Sequence, residues 1–117
     1  MLFIEYPKCS TCIKAKKFLL DHKVSIEDRD IKLNNPNVEE IKKFHELSGL
    51  DIDKIFNTSG LLYKELGLKE KLKSLSYEEK IKLLASNGML IKRPILVSKS
   101  KALFGFKEDK YLELIKE

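Results

Sequence analysis

The first twelve residues place a short apolar run, a proline and two cysteines in an order that few folds accommodate. Leu2 to Tyr6 is apolar and aromatic apart from Glu5 and is closed by Pro7, the pattern of a buried strand running into a turn. Ser10 or Thr11 can cap the helix that follows. In it Cys12, Ala15, Phe18 and Leu19 recur at helical spacing, while Lys14, Lys17 and Asp21 share the opposite face and the helix runs out near His22. Cys9 therefore stands at a strand-to-helix junction, with Cys12 one turn further on.

The two thiols are not equivalent. Free N–H groups and the positive end of the helix dipole face Cys9, and Lys8 adds a cation, conditions under which thiol pKa values fall to between ~3.5 and ~7.5. Cys9 is the expected nucleophile. Cys12 can approach it closely enough to form a disulfide and to release a substrate held as a mixed disulfide. A C-x-x-C beside a strand-helix-strand pattern reads as a redox motif. Zinc would need two further ligands, and His22 and His45, the only histidines, have no Cys or His at ligand spacing, so no metal is expected. Two inert, core-facing cysteines are the plainer alternative.

The rest of the chain suits one α/β domain of 117 residues. Ser25 to Ile31 is expected to return as a strand, without clean alternation. Asn35-Pro36-Asn37 opens a helix whose inward stripe is Val38, Ile41, Phe44 and Leu47, stopped by Gly49. Ile52 to Phe56 and Leu61 to Leu66 read as small helices. Ser76 and Glu79 form a capping box for a helix that buries Tyr77, Ile81, Leu84 and Ala85 and runs to Asn87-Gly88. Ile95 to Val97 and Ala102 to Phe104 flank a Ser98 to Lys101 turn as a hairpin, and Tyr111, Leu112 and Ile115 mark a closing helix. Arg93-Pro94 heads the hairpin, where the proline is either an ordinary strand-opening residue or a cis bond.

Composition excludes several function classes. No apolar run approaches the ~20 residues of a membrane span or the shape of a signal peptide, and two closely spaced cysteines do not staple a secreted fold, so a cytoplasmic protein is expected. Residues 1–60 carry ten basic and ten acidic side chains, and residues 61–117 carry thirteen and eight, so the whole net charge of +5 lies in the second half. From Lys64 to Lys82 the lysines are interleaved with Glu65, Glu70, Glu78 and Glu79 and read as solvated helix faces rather than a nucleic-acid surface. Phe104, Phe106 and Tyr111 read as core. Lys92, Arg93, Lys99 and Lys101 have no acid among them and suit an anionic substrate or an acidic partner.

Pro7-Lys8-Cys9-Ser10-Thr11-Cys12, with a lysine-rich helix behind it, and the distant Arg93-Pro94-Ile95 resemble the two signatures of the thioredoxin-fold family that includes glutaredoxin-type arsenate reductases and the Spx transcriptional regulators. The resemblance spans nearly the whole chain. It implies a single thioredoxin-like domain over residues 1–117, with a mixed four-stranded sheet, flanking helices and a helical insert at about residues 37–90. It also implies a cis Pro94 whose loop, with Arg93, lies against the cysteine loop.

The expected activity is a thiol-dependent reductase. Cys9 attacks an oxyanion or disulfide, Cys12 resolves, Arg93 neutralises charge, and Lys8, Ser10, Thr11 and Pro94 contact the substrate. No bound cofactor is expected, the electrons coming from glutathione or a thioredoxin-type donor. Arsenate reductases of this kind use further arginines, whereas this chain has only Arg29 and Arg93. Thr58, Ser59, Lys64 and Lys107 stand in the corresponding segments and offer no planar fork. The alternative is an Spx-type redox sensor that binds the RNA polymerase α subunit, although such regulators carry a longer C-terminal tail. In either case a monomer is expected.

Overall fold

The computed structural model describes residues 1–117. The chain runs β1 (Leu2–Glu5), α1 (Ser10–Asp21), β2 (Glu27–Asp30), α2 (Val38–Ser48), α3 (Leu61–Glu65), α4 (Leu68–Lys71), α5 (Tyr77–Ser86), β3 (Ile95–Val97), β4 (Ala102–Phe104) and α6 (Glu108–Ile115). Single 3₁₀ turns at Ile52–Ile55, Leu72–Ser74 and Gly88–Leu90 complete the path between α2 and β3. No helix is long and apolar enough to cross a membrane.

The sheet has the order β2-β1-β3-β4, with β1 parallel to β2 and the other two pairs antiparallel. This is the mixed four-stranded α/β arrangement expected. Residues alternate between two covered faces, as a period of two requires. Phe3 and Leu96, opposite each other in the β1–β3 register, pack with Ala15 and Leu19 of α1 and with Tyr111 and Leu114 of α6. Ile4, Ile95, Val97 and Ala102 face the other way, onto Ile41 and Phe44 of α2 and Ile81 and Leu84 of α5. Both faces of the central strands are thus buried, and β1 and the hairpin hold the cysteine loop and the Pro94 loop at one end of the sheet.

Strand β2 is Glu-Asp-Arg-Asp, which explains why its alternation is unreadable. It is an edge strand, and charge on an edge blocks further pairing. Its side chains meet partners on neighbouring helices instead: Asp28 binds Lys16 of α1 at 2.5 Å, and Arg29 grips Glu40 of α2 through two bonds of 2.6 and 2.9 Å. Glu40 also closes a capping box with Asn37, so one carboxylate fixes the start of α2 and ties it to the sheet.

Several details differ from expectation. Cys9 itself is the N-cap of α1, its carbonyl accepting from Ile13 N–H at 3.0 Å, and Ser10 is the first helical residue. Tyr77 is exposed despite its place on the apolar stripe of α5: as the first residue of that helix it rests beside His45 of α2, at 5.6 Å between ring centroids, rather than in the core. In α6 the buried pair is Tyr111 and Leu114, with Leu112 and Ile115 only half-buried, because a three-residue step keeps Leu114 on the face that Tyr111 presents to the sheet.

Candidate active site

Cys9 is held by a turn in which its N–H donates to the Tyr6 carbonyl at 2.9 Å, directly after β1 ends. It is half-buried, Cys12 is fully buried, and both are free thiols. Burial alone would raise the Cys9 pKa. The N–H groups of Cys12 and Thr11, the Cys12 thiol and the Arg93 charge outweigh it, so the pKa lies below the ordinary 9.0. The Cys12 thiol is pushed up to about 12, first by burial and further by the neighbouring Cys9, although the Tyr6 N–H opposes this from 3.5 Å. One member of the pair is therefore set to ionise and the other to stay protonated.

Arg93 supplies the charge assigned in the sequence to Lys8. It precedes Pro94 across a cis peptide bond. Its guanidinium carbon lies 5.4 Å above the Tyr6 ring, and one Nη donates to the Met89 carbonyl at 3.4 Å. Its Nε is buried without a partner. Pro94 is buried, and its carbonyl accepts from Gly105 N–H at 2.8 Å, which joins the Pro94 loop to the end of the hairpin.

Cys9 opens into a cleft of about 800 Å³, lined also by Thr11, Lys92, Arg93 and Lys107. Its far wall is the insert segment Asn57 to Leu62 without Thr58, together with Glu65 and Met89. Phe104 and Phe106 form an apolar side that the sequence assigns wholly to the core. Phe106 does both: its ring packs edge-on to Tyr111 at 4.9 Å, and it still borders the cleft. Lys8 and Ser10 are exposed and do not line it.

The basic cluster of residues 92–101 divides in space. Lys92 and Arg93 face the cleft, Lys99 is exposed in the hairpin turn, and Lys101 pairs with Glu117 at 3.8 Å. Of the residues standing where arginines are expected, Ser59 and Lys107 reach the cleft, whereas Thr58 and Lys64 do not. The second arginine, Arg29, is occupied by Glu40. Gly105 has a signal in the sequence only as a glycine after a strand. It adopts a φ of 88°, and a Cβ there would come within 3.0 Å of the Lys92 Cε, so the bare backbone leaves the lysine stem its path.

A sheet of this order, with a C-x-x-C at the head of the first helix and a cis-proline loop beside it, defines a thioredoxin-like protein. The ArsC family model matches residues 4–114, and the chain belongs to the ArsC family. It is 51% identical over 113 residues to the uncharacterized protein YusI of Bacillus subtilis, covering 97% of this chain and 96% of that one. The regulatory protein MgsR of Bacillus subtilis is 31% identical over 117 residues, covering 100% of this chain and 91% of its own. Among solved structures, an ArsC family related protein from Bacteroides fragilis superposes with a TM-score of 0.94 at 50% identity, over 97% of this chain and 95% of that one.

Proposed function

We propose that this chain is a thiol–disulfide oxidoreductase in which the Cys9 thiolate attacks the substrate and Cys12 resolves the intermediate. The observation that carries this reading is the placement of two neighbouring free thiols, one open to a cleft beside Arg93 and the other fully buried, which shifts their acidities in opposite directions. Cys9, whose pKa is lowered, opens into a cleft, and Cys12, whose pKa is raised, is buried behind it. An attack by Cys9 uses up its negative charge, which removes one of the two influences that keep Cys12 protonated and so favours the second step. The cleft supports a disulfide better than arsenate. It offers one arginine, with lysines as point charges elsewhere, and an apolar side of Phe104 and Phe106 that an oxyanion does not need. Glutathione or a thioredoxin-type protein is the proposed electron donor.

The test is to mix the reduced protein with oxidised glutathione and follow the products by mass spectrometry. Wild type is expected to form the Cys9–Cys12 disulfide, Cys12→Ser to stop as a mixed disulfide on Cys9, and Cys9→Ser to remain unreacted. A Cys9→Ser variant that reacts as fast as wild type overturns the assignment.

A second reading is favoured by the similarity to MgsR, a protein named as regulatory, along the full length of this chain. Here the same dithiol acts as a sensor, and its pairing changes affinity for the RNA polymerase α subunit. Pull-down with that subunit by reduced and oxidised protein distinguishes the two, because a catalyst retains it in neither state.

A further inference from the structure

Beside the Cys9 cleft lies a second one of about 570 Å³, lined by Lys54, Lys69, Lys73 and Lys92 together with Thr58 and Ser59. Its one acid, Asp53, is already engaged by Lys80 at 2.7 Å, and Lys73 is paired with Glu70 at 3.2 Å. Lys54, Lys69 and Lys92 have no carboxylate within salt-bridge distance. Three unneutralised ammonium groups around one concave surface, with the Thr58 hydroxyl beside them and the Ser59 hydroxyl donating to Asn57 Oδ1 at 3.4 Å, form a site for a multiply charged anion with several acceptor oxygens. A phosphate ester meets that description.

The two clefts adjoin. Asn57, Ser59 and Lys92 border both, and the Lys92 stem, lying over Gly105, spans the junction. A ligand held at its phosphate among the lysines would pass Ser59, which lines both clefts, on the way to the cleft that Cys9 lines. The shared residues make the second cleft a direct neighbour of the first, on the side of Ser59 and Lys92.

We propose that the lysine-lined cleft is a subsite for the phosphorylated end of a small thiol, and that the substrate is the disulfide of such a thiol. This rests on the oxidoreductase reading above and adds the substrate class. In the reaction the Cys9 thiolate attacks one substrate sulfur, forming a Cys9–substrate disulfide and breaking the substrate S–S bond. The leaving thiolate takes up a proton. Cys12 then gives up its proton and attacks the Cys9 sulfur, closing the Cys9–Cys12 disulfide and releasing the second thiol. Two electrons pass from the two cysteines to the substrate, so a single turnover of reduced protein needs no other reductant.

Coenzyme A disulfide and pantethine test this directly, because they share the same thiol arm and only the first carries phosphates. Single-turnover rates of the reduced protein are expected to be higher with coenzyme A disulfide, and inorganic pyrophosphate is expected to inhibit that reaction and leave pantethine untouched. Lys54→Gln and Lys69→Gln should each slow the coenzyme A disulfide reaction about fivefold, the loss of one charge contact, without changing the pantethine rate. Lys71→Gln, outside the cleft, should change neither. Equal rates for the two disulfides, or lysine variants that slow both alike, overturn the subsite while leaving the oxidoreductase reading intact. Failure of both disulfides overturns this proposal alone if oxidised glutathione still reacts, and the oxidoreductase reading with it if oxidised glutathione is also inert.

Discussion

The Arg93 guanidinium stacks over the Tyr6 ring at 5.4 Å, linking the loop before β3 to the end of β1 directly above the cysteine turn. Tyr6 also caps that turn through its carbonyl and meets Cys12 through its N–H. One residue therefore positions the cation and both thiols, although nothing in its side chain marks it as part of the dithiol site.

Replacing Arg93 by Gln is expected to raise the pH at which Cys9 becomes reactive, since the Arg93 charge is one of the influences that lower its pKa. Tyr6→Leu should shift it in the same direction but less, because a cation–π contact of this kind contributes about 1 kcal/mol or below. The double variant should shift little more than Arg93→Gln alone, since Tyr6 acts through Arg93. Rates of iodoacetamide alkylation as a function of pH measure all three, and Lys71→Ala should leave the profile in place.

Cys12→Ala should raise the same inflection, whereas Cys12→Ser should raise it less. The Cys12 thiol is among the groups that stabilise the Cys9 thiolate, and a serine hydroxyl keeps a donor there. Equal shifts in the two variants would show that the Cys12 side chain contributes through packing alone.

Glu5 makes stability depend on pH. It is buried at the end of β1, with Lys16 Nζ 3.4 Å away. Burial first, then the neighbouring Asp28, raises its pKa to about 7 from an ordinary 4.5. Between these values the folded state binds more protons at Glu5 than the unfolded state does, so its contribution to stability falls as pH rises through the window. Asp28 shifts the opposite way and weakens only at more acidic pH. Glu5→Gln is therefore expected to be more stable than wild type at pH 8 by about 1 to 2 kcal/mol and to lose that advantage near pH 5, as read from urea midpoints at the two pH values.

Gly88→Ala should destabilise the fold by about 3 kcal/mol, at the upper end of overpacking costs. A Cβ at this position would lie 2.4 Å from the Ile31 carbonyl oxygen and 2.8 Å from the Asn35 side chain. Both belong to the segment that leads from β2 into α2, so the insert cannot yield without moving the sheet. Thermal unfolding checks this, and Gly49→Ala, where no atom stands within 4 Å, separates crowding from the cost of a positive φ.

Elements with a strong local signal were legible in the chain. The capping box of Ser76 and Glu79, the αL stop at Gly49 and the hairpin at Ile95–Val97 and Ala102–Phe104 all form where turn chemistry and periodicity put them. So does the strand before Pro7. The four charged residues of β2 carried little signal, since an edge strand draws its partners from Lys16 and Glu40 on helices distant in sequence. The same holds for Tyr77 and Leu114, whose burial depends on what each helix is packed against.

By itself the sequence determined that a thiol stands at a strand-to-helix junction with a second thiol one turn on, because that geometry is local and follows from the helix repeat. It also determined the family. The sequence offered Cys9 two cations, Lys8 and Arg93, and the tertiary structure decided between them. Lys8, adjacent in the chain, is exposed and does not line the cleft, while Arg93 is brought back by the antiparallel pairing of β3 with β1. It likewise split one basic run between the cleft, the hairpin turn and a C-terminal ion pair, and joined Lys54, Lys69 and Lys92 around one concavity. Electrostatic influence depends on distance through space, and distances of that kind are set by packing across the sheet and the insert rather than by position along the chain.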